Sequence, residues 1–478
     1  MYVRRGRMNT VTKEQSHKIM LGCYFVMFTI AAYGLSLATI QQPMLNAMGG
    51  GSYFSLITLI AAICMTIMTP IGGRLIDGLG NRKVTLYGGV ISLVTGLIMA
   101  FIPNLWIFLI ARILFSMAQG AISSVPYILA REVNPVEDQN KIFGMLATIL
   151  AVGSFVGSWL AGNLMQYGFM WAAVAFPCLT LIPGIWLIVK NMYNDAHEGG
   201  LKMDWLGVVL LVVCLSTLLL SMNFGTKMGW YNGWILAGFL VGFSSLLALI
   251  AWENKAGTPL IPMTLFRSKE YVLLLGITFA GVFYMIAINS YLPMAVQTIL
   301  EAGSSTSGVL QLPKTIVMVL VPTVLGVWVG KKKSHTWMAL ALSCVFVIIP
   351  CGLLVFMGVR MPVWFIMLMV GLTGLSDALR SVSATPAAQE ILNPADLGIG
   401  TSMIGFTITL ANSIAATVDG IAYDSLSASI PGIVGMSHGI DTTFLISAGV
   451  GVIGLLLTVL FFRPMLRKRA QKTGDTTK

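Results

Sequence analysis

Charge is what this sequence has least of. Only 10% of its 478 residues are Asp, Glu, Lys or Arg, while 56% are hydrophobic; a soluble domain carries about 25% charged residues. That shortage excludes an ordinary soluble globular chain, because the surplus apolar surface has to face lipid. Other absences narrow the chemistry. No H-E-x-x-H occurs, so a zinc-protease site has no anchor. No phosphate-binding loop is present: Gly326-Val327-Trp328-Val329-Gly330-Lys331 has three residues between its glycines where four are needed, which argues against ATP-driven pumping by this chain. No connection between apolar runs exceeds roughly twenty residues, too few for a soluble catalytic domain. Cys23, Cys64, Cys178, Cys214, Cys344 and Cys351 all fall in apolar runs without a C-x-x-C pair, which points to buried free thiols rather than a disulfide or metal framework. The expectation is a non-enzyme without metal or cofactor. The formal net charge of +11 does not imply nucleic acid, because the bases are scattered through short loops and the two tails.

What is present is a series of apolar runs of about 20 residues, each long enough to cross a bilayer as a helix. They fall near 19–42, 53–73, 84–102, 105–130, 142–165, 170–189, 205–222, 233–252, 271–296, 306–329, 335–357, 361–385, 398–423 and 440–462. The first is too long for a signal-peptide core and has no small-residue cleavage site, so it reads as a retained span. Fourteen spans put both termini and every second loop on one side. That side holds 25 of the 29 Lys and Arg; the other holds Lys227 and Arg360, and Arg112 and Lys314 lie inside spans. By the positive-inside rule both termini are cytoplasmic. A missed or invented span in the middle would scramble this alternation.

Between spans 2 and 3 stands Gly73-Arg74-Leu75-Ile76-Asp77-Gly78-Leu79-Gly80-Asn81-Arg82-Lys83, read as a tight polar loop. Its spacing G-x-x-x-D-x-x-G-x-R resembles the signature loop of the major facilitator superfamily. Further strings resemble the fourteen-helix drug:proton antiporter branch: Asp204-Trp205-Leu206-Gly207, Pro259-Leu260-Ile261-Pro262, Leu265-Phe266-Arg267, Ser290-Tyr291-Leu292-Pro293 and Gly308-Val309-Leu310-Gln311-Leu312-Pro313. The resemblance covers nearly the whole chain. It implies an all-α polytopic fold of fourteen helices arranged six, two and six: an N-terminal bundle over 1–190, a two-helix insertion with flanking loops over 191–270, and a C-terminal bundle with a basic tail over 271–478. The bundles would surround a central cavity. A degenerate copy of the signature, Gly326-x-x-x-Gly330-Lys331-Lys332-Lys333, follows span 10 with glycine at the acid position, as a transporter built from related halves predicts.

The resemblance makes Gly73, Asp77, Gly80, Arg82 and Lys83 a conformational latch, with Asp77 facing the start of span 13 near Asp396-Leu397-Gly398. The alternative is a solvated loop charge. Two positions depart from the branch. Its span-1 acid is Gly34, nine residues before Pro43, and its span-5 G-P-x-x-G-G reads Gly153-Ser154-Phe155-Val156-Gly157-Ser158. Gly153 and Gly157 suit a close helix seam.

Charges inside spans are functional candidates by default. Arg112 matches the span-4 arginine of the family and either faces a cavity or bonds locally. Lys314, which the resemblance does not demand, either pairs with an acid or awaits an anionic ligand. Asp377 and Arg380, three apart on one helix face, form either a self-satisfied pair near the membrane boundary or a protonatable site replacing the lost acid. Asp419 and Asp424 are either solvated helix-end charges or an attractor of protons and cations. Tyr33, Gln41, Gln42, Tyr284, Asn289 and Tyr291 are polar candidates to line a cavity. The function expected is secondary active efflux of drugs or amphipathic metabolites by alternating access, with proton antiport implied by the resemblance, from a bacterial plasma membrane and as a monomer. Two alternatives stand beside it: transport of an organic anion or lipid, and a ligand sensor or scaffold that does not transport.

Overall fold

The computed structural model describes residues 12–50, 53–193, 203–300, 310–356, 361–393, 396–429 and 432–472. Among these there are helices and turns and no strand. The chain divides into two compact units. One comprises Met1–Leu215, Ala248–Met263 and Leu392–Phe406; the other comprises Ser216–Leu247, Thr264–Ile391 and Thr407–Lys478.

The helices in the first half of the chain are α1 (Lys13–Ala47), α2 (Phe54–Leu79), α3 (Asn81–Phe101), α4 (Leu105–Ile122), α5 (Val125–Glu132), α6 (Val136–Gln166), α7 (Met170–Leu179) and α8 (Leu181–Asn191). Then come α9 (Trp205–Met228) and α10 (Gly233–Glu253), followed by α11 (Thr264–Arg267), α12 (Lys269–Val282), a π-helical turn (Ala287–Tyr291) and α13 (Leu292–Thr298). The last are α14 (Leu312–Lys331), α15 (Lys333–Leu354), α16 (Val363–Ile391), α17 (Leu397–Ser429), α18 (Ile433–Leu456), a second π-helical stretch (Leu457–Phe462) and α19 (Arg463–Lys472).

Thirteen helices among the described residues are long and apolar enough to cross a membrane. They take in the second to fourteenth expected runs; the first, 19–42, lies within α1, which is not among the thirteen. Several expected single spans are interrupted. Ser123 and Ser124 separate α4 from α5, where Pro126 occupies the first turn of the new helix, a position at which its missing N–H costs nothing. Thr180 separates α7 from α8 just after Pro177.

Polar residues fix the helix starts. Thr12 and Gln15 form a capping box on α1. The Asn104 side-chain oxygen Oδ1 accepts from the Trp106 and Ile107 N–H groups at the start of α4. The Asp204 carboxylate accepts from Gly207 N–H at 2.9 Å, capping α9, and from Trp252 Nε1–H at 2.8 and 3.0 Å, which ties α10 to it.

The α1–α6 seam is closed by absent side chains. A Cβ on Gly153 would fall 2.7 Å from the Phe28 carbonyl oxygen, and one on Gly157 would strike the Ala32 backbone. The freed space admits a Ser36 hydroxyl bond to the Gly157 carbonyl at 2.9 Å. Membrane helices associate through this kind of backbone approach, because lipid supplies no hydrophobic drive between them.

Candidate functional site

The stretch 73–83 differs from the expected loop. α2 runs through Asp77 to Leu79, α3 begins at Asn81, and Gly80 alone makes the turn at φ +86°, a conformation glycine adopts without steric cost. Asp77 therefore sits in the last helical turn, held rigidly. Its Oδ1 accepts from Gly398 N–H at 2.7 Å and its Oδ2 from Ile399 N–H at 2.8 Å. These two donors belong to the first turn of α17, where N–H groups have no intrahelical partner and the helix dipole favours negative charge. Gly73 and Gly398 make the approach possible: a Cβ on Gly73 would lie 2.7 Å from the Gly398 carbonyl oxygen, and one on Gly398 would overlap the Asp77 carboxylate. Gly398 is a partner that sequence reading placed nearby without assigning it a role. Its signal is a glycine one residue into a helix, where only close approach requires it.

A second cluster lies within the other unit. Asp377 is the fifteenth of 29 residues of α16, so the expected placement of Asp377 and Arg380 near the membrane boundary is corrected: both stand at mid-helix and are buried. Arg380 therefore also leaves the tally of cytoplasmic bases. The self-satisfied pair is incomplete as well. Arg380 Nη2 donates to Asp377 Oδ1 at 3.1 Å, and Lys314 Nζ meets Asp377 Oδ2 at 3.0 Å. Lys314 is the third residue of α14, and the backbone of α14 passes Gly374 so closely that a Cβ there would sit 3.0 Å from the Lys314 carbonyl oxygen. Tyr284, fully buried, completes the group. Its hydroxyl accepts from Lys314 Nζ at 3.4 Å and donates to the Thr373 carbonyl at 3.2 Å, and the Lys314 ammonium lies 5.2 Å from its ring centroid. Of the two alternatives for Lys314, pairing with an acid is the one seen here, with Asp377 of a different helix as the partner.

Asp419 is corrected from the helix-end reading. α17 continues ten residues past it to Ser429, its carboxylate is fully buried, and neither oxygen has a hydrogen-bond partner. Tyr291 and Cys351 are titratable neighbours. Arg112 has no acid within ion-pair distance among the described residues; Nη1 donates to the Ser116 hydroxyl at 3.2 Å and Nε is unpartnered. Gly34, where the related branch has its acid, is exposed and a Cβ there would meet nothing within 4 Å.

The remaining polar candidates separate. Tyr33 is buried and stacked on Phe115 at 3.9 Å, Gln41 is buried and donates to the Thr58 hydroxyl at 2.8 Å, and Asn289 is exposed on the π-helical turn. Tyr291 pairs with Tyr423 at 5.5 Å. The Gln42 side chain lies outside the described residues.

An all-helical chain of apolar spans, with an acid clamped on a distant helix start and charges held inside the spans, is the class of a multi-pass membrane transporter. The family model of the Major Facilitator Superfamily matches residues 20–416, and the chain belongs to that superfamily. It is 24% identical over 424 residues to the multidrug transporter protein MdtP of Bacillus subtilis (strain 168), covering 87% of this chain and 77% of that one. It is 21% identical over 419 residues to multidrug resistance protein 3 of the same organism, covering 86% and 80%. Among solved structures, the proton:xylose symporter XylE shares the fold with a TM-score of 0.64 at 13% identity, over 94% of this chain and 96% of that one.

Proposed function

We propose that the protein exports amphipathic compounds by proton-coupled alternating access across a bacterial plasma membrane, with fourteen spans and both termini in the cytoplasm. The observation that carries the reading is the Asp77 carboxylate spread over two N–H groups of α17, 321 and 322 residues away in sequence. A contact between an anion and a helix end is strong when closed and replaceable by water when open, which suits a part that must make and break in each cycle. Arg82 and Lys83, in the first turn of α3, belong to the same cytoplasmic end. The multidrug relatives support amphipathic cargo.

Asp419 is the coupling group in this reading. Gly34 carries no acid, and Asp377 is committed to two cations. Asp419 alone among these positions is a carboxylate sealed from solvent with both oxygens unbonded, and a proton is small enough to reach and neutralise it. The test is dye transport into proteoliposomes with and without an imposed pH gradient. Asp419→Asn is expected to abolish acceleration by the gradient while leaving counterflow exchange at zero gradient. Full gradient-driven transport in Asp419→Asn would overturn the assignment, and saturable binding with no exchange in the unmodified protein would overturn transport itself.

A further inference from the structure

We propose that Lys314 and Arg380, with Tyr284 holding the Lys314 ammonium in place, form a recognition site for the anionic head of the transported amphiphile, a single carboxylate or sulfonate on an apolar body. This deepens the export reading above and rests on it for the word transported, though not for binding. The first ground is charge. Two cations share one carboxylate: Lys314 and Arg380 both pair with Asp377 at 3.0 and 3.1 Å, and among the described residues no other acid lies within ion-pair distance of either. The group, with Lys314 in the first turn of α14 and Asp377 and Arg380 midway along α16, carries an excess of one positive charge. Inside a membrane protein an uncompensated charge is expensive, and its field reaches further than in water.

The second ground is exposure. The Asp377 side chain is only 4% exposed, whereas Lys314 and Arg380 keep 12% and 11%, so the acid is the most enclosed member of the group. The third ground is spare donors. Lys314 has three N–H bonds to give and uses one on Asp377 and one on the Tyr284 hydroxyl. Arg380 has five, and its Nε is buried without any partner. Tyr284 donates to the Thr373 carbonyl, so its hydroxyl cannot serve a further acceptor. An anionic oxygen between ammonium and guanidinium would answer both the excess charge and the spare donors through charge-assisted bonds.

The fourth ground is the neighbourhood. Tyr284 packs in a closed apolar core with Ile288, Leu292, Ile366, Val370 and Phe444, and partly buried Met285, Met294 and Met367 stand at its margin. These methionines are the adaptable side chains available to border a hydrophobic body of variable shape beside a fixed charge. A permanently cationic ligand has no partner here and meets repulsion.

The experiment uses one fluorophore with three heads. Dansyl-alkyl probes ending in a carboxylate, a neutral amide or a trimethylammonium are titrated against the full-length protein in phosphatidylcholine nanodiscs, and the same probes are followed by counterflow in proteoliposomes. The unmodified protein is expected to bind the carboxylate about tenfold or more tightly than the trimethylammonium, the worth of one charge-assisted bond or more. Lys314→Met should erase that preference while keeping the fold, since Asp377 retains Arg380; Lys314→Arg should restore it. If Lys314→Met fails to reach the membrane, Arg380→Gln, which leaves the Lys314–Asp377 pair intact, gives the same readout. Equal or cation-favouring binding by the unmodified protein, or an unchanged preference in these variants, would overturn the site. Loss of carboxylate binding on adding phosphatidylglycerol would assign the site to a lipid headgroup and overturn the substrate assignment. Charge-selective binding without counterflow would keep the site and remove transport, whereas counterflow indifferent to charge would keep transport and remove the site.

Discussion

Replacing Asp77 by Asn tests the clamp at nearly constant size. The carboxylate now offers one oxygen to Gly398 N–H and the other to Ile399 N–H, at 2.7 and 2.8 Å. The amide of asparagine keeps one of these acceptors and turns an NH2 toward the other donor. One charge-assisted bond, worth about 1.5–3 kcal/mol, is lost outright, and the remaining bond loses its charge and about 0.3–1 kcal/mol of favourable interaction with the helix end. The closed arrangement is then weaker by roughly 2–4 kcal/mol, a shift of about 30- to 1,000-fold in its population. Two measurements read this. Hydrogen exchange over 396–403 in nanodiscs should accelerate at Gly398 and Ile399, whose first-turn N–H groups rely on Asp77. Counterflow should fall by about tenfold or more while the protein still reaches the membrane, because a transporter that spends little time closed completes few cycles. Unchanged exchange at 398–399 together with counterflow within about twofold of normal would refute the reasoning, since the loss of one acceptor has no other route to silence.

Gly398→Ala should reproduce the Asp77→Asn phenotype, because a Cβ there overlaps the Asp77 carboxylate and lies 2.6 Å from the Gly73 carbonyl oxygen; normal protection at Ile399 in that variant would show that α17 can move aside. Gly34→Asp should express and insert normally, since nothing lies within 4 Å of the new Cβ; failure of that variant to reach the membrane would refute this.

Much of the fold was readable because lipid imposes a blunt rule, about 20 apolar residues per crossing. The ends of helices were not readable in this way. α2 continues beyond its apolar run through Arg74 and Asp77, and α17 continues to Ser429, because backbone hydrogen bonding does not stop where hydropathy does. That is why Asp419 looked like a helix-end charge and proved to be sealed. The Asp77 contact was anticipated through a motif that fixes spacing along the chain. The Lys314–Asp377 pair joins residues 63 positions apart on separate helices, and no local pattern encodes which face of α14 meets which face of α16. The close packing of Gly374 on the α14 backbone decides it.

The two proposals constrain each other through the membrane potential. A cationic drug leaving in exchange for an entering proton moves no net charge, so only the pH gradient drives it. A monoanion leaving in exchange for a proton moves two charges in the same electrical direction. Each charge crossing an inside-negative membrane contributes about 2.3 kcal/mol per 100 mV, so the exchange gains about 4.6 kcal/mol per 100 mV before any pH difference is counted. On this accounting the acid at Gly34 is dispensable. In a cation exporter a span-1 carboxylate offers the cargo a counter-charge that a proton can displace. An anion exporter has no use for that counter-charge, and needs instead a fixed positive excess within its spans, with the titrating acid placed apart from it. The chain has that distribution: Gly34 open and neutral, Lys314 and Arg380 over-matching Asp377, and Asp419 outside ion-pair distance of both cations. The neutral Gly34 in α1 and the extra base Lys314 in α14 both fit the anionic cargo proposed above.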